Sequence, residues 1–406
     1  MSQHDRKVVV TGLGVISSAG FDAEEFYNNL CSGRDFTGPI TSVDTSGFRR
    51  LNAAEIKREL PPLPEHWKDY SRASKMALTA AAQALTDAGL GFDLSNIKAS
   101  ISIGTMTGGA ADFEKWYCGE NCREPAQEQQ ALISQFPHHS AAASMAYEFR
   151  IMGCVNTTVS ACASGTISQG IAYKLIKNGR ADIVICGGVD AFRTLQHLES
   201  SAYRIVSPDK VKPFDAARKG ILVGEGAGIL IFEAEENAKR RNADIYCNVL
   251  GYGASCDAED LAHPQENGEG IGKAMTGAIR CANIPAEKIG YINAHGTGTS
   301  KNDSAETAGI KLAFGKHAHE LLASSIKGAI GHTLAAAGAV EAIAAVQTLK
   351  NGRIPPTINY NNLDVHCNLD IVPNISAEMR LEAVMSNSFG FGGNNASILF
   401  GAYENG

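Results

Sequence analysis

Apolar runs ending in glycine recur along the chain: KVVVTGLG (7–14), ASISIGTMTGG (99–109), ADIVICGG (181–188), GAGILIFEA (226–234), YINAHGTG (291–298) and NASILFG (395–401). Between them lie alanine-rich stretches with helical spacing, such as SKMALTAAAQALTDAG (74–89) and GAVEAIAAVQTLKNG (338–352). Strand-like and helix-like segments in alternation predict an α/β fold whose sheets are buried. Residues 163–179, ASGTISQGIAYKLIKNG, form a further helix candidate, with Ile167, Ile171 and Leu175 on one face and Lys174 and Lys177 toward its end.

Two pairs of segments echo each other. VGEGAGILIFEA (223–234) and FGGNNASILFGA (391–402) each run from a glycine-rich turn into an apolar strand. TTVSACASG (157–165) and LLASSIKGAIGH (321–332) each lead from a strand into a turn of small residues carrying one chemically potent side chain. The pattern predicts a duplicated α/β unit with its junction in the charged stretch EAEENAKRRNADI (233–245), hence halves of 1–240 and 241–406.

With 406 residues, the chain is long enough for one large two-part domain or two domains. Apolar residues at 44% and charged residues at 19% place it among globular rather than disordered chains. A net charge of −7 gives no reason to expect nucleic acid or an anionic membrane surface as a partner. No apolar stretch approaches the roughly 20 residues of a membrane span. The N-terminus enters a strand without the apolar core of a secretory signal, so a cytoplasmic location is expected. Ten scattered cysteines suit free thiols in a reducing compartment. Cys118 and Cys122 have no second Cys/His pair nearby, and no metal site is expected.

Cys162 follows a β-branched run and precedes a helix candidate, where the positive helix end should lower a thiol pKa. On this segment alone, a buried thiol and a reactive one both fit. His295, in INAHGTGTSKND, follows an apolar strand, and His332 stands five residues after Lys327 at the mouth of an alanine-rich helix. The histidines at 138–139 and at 317 and 319 lack such a setting and read as surface or loop residues. GTMTGG (104–109) has neither the G-K-[ST] ending nor the G-x-G-x-x-G spacing of a phosphate loop.

PFDAARKGILVGEGAG (213–228), Cys162 in VSACASG, His295 in NAHGTGTSKND, Lys327 and His332 in KGAIGH, and NSFGFGGNN (387–395) together resemble the β-ketoacyl-acyl-carrier-protein synthases. The match runs nearly end to end and is nearest the condensing enzymes of type II fatty-acid and polyketide systems. The resemblance implies the thiolase fold: duplicated βαβαβαββ halves in a five-layered α-β-α-β-α core. It implies Cys162 as the acylated nucleophile, with His295 and His332 acting on malonyl-carrier protein and Lys327 as electrostatic support of His332. Backbone N–H groups of Cys162 and Phe391 would hold the oxyanion, and Phe391 with Phe389 beside it would form the gate. Asp303, Glu306 and Glu341 would pair with Lys327 or orient backbone. Thr297 and Thr299 would bind the phosphopantetheine arm, and the segment with Met106, Thr107 and Gly108 would line the acyl pocket. No cofactor is implied, because that arm arrives on the acyl carrier protein.

The expected partners are the carrier protein, for which Lys68, Arg72 and Arg204 are docking candidates, and a second subunit. That subunit is either a second copy or a chain-length-factor-like homologue. Thr107 stands where the family often has isoleucine, which predicts a tunnel open to longer or oxygenated chains and favours a polyketide or polyene role over housekeeping elongation. A non-catalytic chain-length partner would lack the cysteine. A thiolase would need a second site cysteine, and Cys367, in VHCNLD, lies away from any glycine-rich site turn.

Overall fold

The computed structural model describes residues 6–118 and 133–404. The N-terminal half contains β1 (Val8–Ser17), β2 (Ala99–Gly104), β3 (Val155–Thr158), β4 (Ile183–Asp190) and β5 (Gly226–Ala234), in spatial order β3-β2-β4-β5-β1. Its main helices are α1 (Arg72–Asp87), α2 (Ser140–Glu148), α3 (Ser164–Lys177) and α4 (Thr194–Ala202).

The C-terminal half contains β6 (Cys247–Cys256), β7 (Ile289–Asn293), β8 (Leu322–Ser324), β9 (Asp370–Ile371), β10 (Ala383–Gly390) and β11 (Asn394–Ala402). Its principal helices are α5 (Glu269–Ala282), α6 (Ser300–Phe314) and α7 (Ala337–Asn351). The order β8-β7-β10-β11-β6 repeats that of the first half, with β9 added at the β8 edge. Pairing directions repeat as well: β2 is parallel to β3 and β4, as β7 is to β8 and β10, while β5 and β11 run antiparallel to their neighbours. β1 and β6 pair antiparallel from Val8↔Val249 to Val10↔Cys247, so hydrogen bonding continues through eleven strands.

The strands are apolar on both faces because both faces are covered. Ile229 and Ile231 of β5 pack outward with Met76 and Leu85 of α1 and Met145 of α2. Leu230 and Phe232 point inward, against α3 and α7. In the second half, Ile398 and Phe400 of β11 face that same helix pair, while Leu399 and Met385 meet Ile271 and Met275 of α5. The result is five layers: α1/α2, the first half-sheet, α3/α7, the second half-sheet, and α5/α6.

Helix α7 is buried from Ala337 to Leu349, which explains its alanine content, since only small side chains let a helix lie between two sheets. It approaches α3 so closely that a Cβ on Gly338 would lie 2.2 Å from Thr166 Oγ1. Strand β6 and helix α5 carry no strong sequence signal, because glycines interrupt their pattern. Those glycines serve packing: a Cβ on Gly253 would lie 2.1 Å from the Ala274 carbonyl of α5.

Candidate active site

The site assembles where strands of both halves end. Cys162 lies between β3 and α3, His295 just after β7, Lys327 and His332 after β8, and Phe389 and Phe391 at the end of β10. Before Cys162, Ala161 has φ 48°, a left-handed conformation that is costly for a residue with a Cβ. Ser164 holds this elbow: its hydroxyl accepts from Ser160 N (2.8 Å) and donates to Ala161 O (2.6 Å). The end of β10 abuts the same turn, and a Cβ on Gly390 would sit 3.0 Å from Cys162 N. Among the described residues no side chain caps α3, so its positive end stays behind the thiol.

The expected lowering of the thiol pKa does not hold for the resting site. Burial pushes the Cys162 thiol up to about 12, with Lys327 pulling the other way and Asp190 and Glu341 adding to the rise. Loss of solvation disfavours the thiolate, so the resting group is a protonated thiol. The residue itself is only half-buried and lines the cavity described below.

Both imidazoles are held in one tautomer. Lys327 Nζ lies 3.3 Å from His295 Nδ1 and donates to the His295 carbonyl at 2.6 Å. An ammonium has no lone pair to offer, so Nδ1 accepts and Nε2 carries the proton. In His332, Nδ1 accepts from Leu334 N at 3.2 Å, which again leaves the proton on Nε2. Burial holds both imidazoles well below the usual range, and the Lys327 charge lowers them further. The two rings meet edge-on at 5.2 Å, and Phe389 packs edge-on to His295 at 5.7 Å. The sulfur of Cys162 and ring nitrogens of His295 and His332 all lie within 4.8 Å of one another.

Lys327 is 1% exposed and forms a short ion pair with Glu341 Oε1. It contacts His295 directly and acts on His332 through its charge, as electrostatic support of both imidazoles. The three carboxylates divide their work. Glu341 alone pairs with Lys327. Glu306 accepts from His295 N (2.9 Å) and Gly296 N (2.8 Å). Asp303 accepts from Phe214 N (2.7 Å) and Gly298 N (3.2 Å), tying the HGTGT turn to residues 213–215. Burial raises both Glu306 and Glu341 to about 7.

Cys162, His295, His332, Phe389 and Phe391 line a cavity of about 250 Å³. Thr297 and Thr299, whose hydroxyls are 2.9 Å apart, lie on its wall near exposed Ser300 and Lys301. Phe391 is 41% exposed and meets Tyr203 edge-on at 5.6 Å. Asn394 donates to the Phe391 carbonyl at 3.0 Å and so braces that turn. A larger groove of about 1280 Å³, lined in part by Trp67, Gln83 and Tyr246, contains none of these residues.

Of the three expected acyl-pocket residues, only Met106 lines the cavity. Thr107 turns its hydroxyl 3.0 Å from Asp190 Oδ1, and Gly108 packs on the backbone of His138. Arg72 is unsuited to docking, since Glu225 binds it at 2.8 and 2.7 Å, whereas Lys68 and Arg204 are exposed. Sequence reading passed over Asp190, whose buried carboxylate accepts from Thr105, Met106, Thr107 and Ala335 N. Its one signal is an acid closing the apolar run IVICGGVD (183–190). Gln196, Ser200 and Tyr203 of the cavity wall gave no signal. The eight cysteines 31, 154, 162, 186, 247, 256, 281 and 367 are free thiols, and Cys122 lies outside the described residues. Among the described residues Cys162, His295 and His332 are also the one ligand group close enough to share a metal ion. The Lys327 ammonium against His295 opposes a cation there.

Two like halves stacked in five layers, with a cysteine and two histidines at their strand ends, define a condensing enzyme of the thiolase fold. The models of the N-terminal and C-terminal β-ketoacyl synthase domains match residues 5–238 and 246–361. The chain is 36% identical to 3-oxoacyl-[acyl-carrier-protein] synthase 2 of Coxiella burnetii, over 97% of this chain and 98% of the relative. It is 35% identical to putative polyketide beta-ketoacyl synthase 1 of Streptomyces cyaneus, over 97% of each. The solved ishigamide ketosynthase/chain length factor superposes with a TM-score of 0.91 at 37% identity, covering 98% of this chain and 100% of that one. The chain belongs to the β-ketoacyl synthase family.

Proposed function

We propose that this enzyme joins an acyl chain, held as a thioester on Cys162, to the two-carbon unit of malonyl-carrier protein with loss of CO2. The observation that carries the proposal is the convergence of the Cys162 sulfur and the two imidazoles within 4.8 Å on one cavity wall. In the first half-reaction, Cys162 attacks the acyl thioester and the pantetheine sulfur leaves. The proton of the thiol ends on that departing sulfur, so the exchange of thioesters balances without a net proton. The oxyanion formed on the way is held by the backbone N–H groups of Cys162 and Phe391.

In the second half-reaction, the Nε2–H groups of His295 and His332 donate to the malonyl thioester oxygen. They stabilise the enolate as the carbon–carboxylate bond breaks and CO2 departs. The enolate carbon attacks the acyl carbonyl, the carbon–sulfur bond breaks, and the departing Cys162 thiolate takes a proton from solvent. Lys327, paired with Glu341, keeps His295 in its donating tautomer. Thr297 and Thr299 hydrogen-bond the phosphopantetheine arm, and Phe391 with Phe389 gates the passage. The scheme asks for no metal, flavin or nucleotide.

The carrier protein is the substrate-bearing partner, and the enzyme works in the cytoplasm. Among the described residues no helix is long and apolar enough to cross a membrane. The second subunit pairs along β3, an edge strand beside exposed Met152, Val155 and Val159. It is either a second copy or a chain-length-factor-like homologue. A polyketide or polyene pathway is favoured over housekeeping elongation by likeness to the ishigamide ketosynthase/chain length factor. Intact-mass measurement after incubation with carrier proteins loaded with graded acyl chains, alongside CO2 release from malonyl-carrier protein, tests the proposal. Acylation confined to Cys162 is expected; a fully active Cys162→Ala enzyme would sink it.

A further inference from the structure

The cavity has two chemically different ends. Loops of the C-terminal half build one, where Ser300, Lys301 and His263 are exposed. The other is built largely from Met106, Ile205 and Ile221 of the N-terminal half with Leu334 of the C-terminal half, and this end is apolar. Helix α4 contributes Gln196 and Ser200 to this end, at i and i+4, so a single helix face meets the cavity. Leu195 and Leu198 of the same helix point away and are exposed.

Gln196 is out of place on an apolar wall. It is 7% exposed, and its Oε1 is enclosed without a hydrogen-bond partner among the described residues. A buried amide oxygen left unpaired is costly, and an all-carbon chain threaded past it would leave it so. Ser200, 4% exposed and one turn along, adds a hydroxyl to the same wall. Gln196 lines the cavity, and once its amide turns toward the cavity space an alcohol on the chain would satisfy it at either amide atom, since a hydroxyl both donates and accepts. A ketone only accepts.

We infer that Gln196 is a specificity-determining residue that selects acyl chains carrying a hydroxyl group, with Ser200 as the second polar contact. The selection concerns the acyl end of the cavity and leaves the chemistry at Cys162 unchanged. It rests on Cys162 being the acylated residue. The polarity once expected from Thr107 is thereby reassigned, because the Thr107 hydroxyl is occupied by Asp190.

The test uses the full chain with its natural second subunit and four kinds of pantetheine thioester. These are acetyl, a saturated medium-length chain, the same chain with one hydroxyl at successive carbons, and the same chain with a ketone. The rate of Cys162 acylation is followed by intact mass. Acetyl loading reports on the cysteine, and the ratio of hydroxylated to saturated loading reports on Gln196. At one hydroxyl position the wild-type ratio should reach about tenfold or more, the scale of one buried hydrogen bond. Gln196→Leu should bring that ratio to one or below, and Ser200→Ala should reduce it by a smaller factor. Equal or faster loading of the saturated chain by the wild-type enzyme would overturn the inference without need of any variant. So would a ratio that survives Gln196→Leu, and a ketone preferred over the hydroxyl would overturn the choice of alcohol. Acetyl loading that fails at Cys162 would remove the underlying reading, and the inference with it.

Discussion

The turns after β3 and β8 occupy the same place in the two repeated halves, yet they have become chemical opposites. After β3 the chain makes a strained elbow at Ala161, exposes a thiol to the cavity and enters the long helix α3. After β8 it makes a single helical turn, Lys327–Ile330, passes Gly331 at φ 64°, and only then presents His332. Cys162 is half-buried, whereas Lys327, His332, His295 and Glu341 are each 3% exposed or less. A nucleophile must be reached by its substrate, so it stands on the more open frame. Charges and dipoles meant to stabilise an enolate are strongest where water is excluded, so they are sealed into the other.

This division can be broken most forcefully at the nucleophile. Cys162→Ala should lower acyl transfer by about 10⁴-fold or more in an intact-mass assay. CO2 release from malonyl-carrier protein should fall far less. Equal loss of both would mean that the two turns do not act separately. The converse experiment is His295→Ala or His332→Ala, each expected to lower CO2 release by about 10²- to 10³-fold, the scale of one lost oxyanion donor.

A gentler probe is pH. Because burial and Lys327 hold both imidazoles well below the usual histidine range, they remain neutral as pH falls through 6.5. The imidazoles should therefore add no inflection to the pH profile of decarboxylation, whereas Glu306 and Glu341, raised to about 7, titrate in that range. A midpoint near 6.5 that survives both Glu306→Gln and Glu341→Gln would show that at least one imidazole is solvated in the working enzyme. The smallest effect is expected at Asp190, which links the loop after β2 to Ala335, three residues past His332. Asp190→Asn keeps the shape but weakens several charge-assisted bonds, so a stability loss of about 2 kcal/mol in denaturant unfolding is expected. A neutral outcome would mean that the loops of the two halves hold position without it.

Some of this was legible before any folding was considered. The apolar runs ending in glycine become β1, β2, β4, β5, β7 and β11, and the echoing segments become β5 with β11 and the two turns just compared. Cys162, His295, Lys327 and His332 stood out because each follows a strand and sits in a turn of small residues. What was not legible depended on partners distant in sequence. Lys327 chooses His295, 32 residues away, over its near neighbour His332. Thr107 is claimed by Asp190, 83 residues on, and so leaves the cavity wall to Met106, Gln196 and Ser200.

Sequence by itself therefore determined the fold class, the duplication and the set of reactive groups, because strand periodicity, turn residues and helix starts are local properties of the chain. Only the tertiary structure decided the protonation states, the tautomers and the character of the acyl wall. The thiol is driven up to about 12 by burial, with Asp190 and Glu341 adding to the rise and Lys327 opposing it. Burial, charge proximity and cavity shape exist only once remote segments have been brought together.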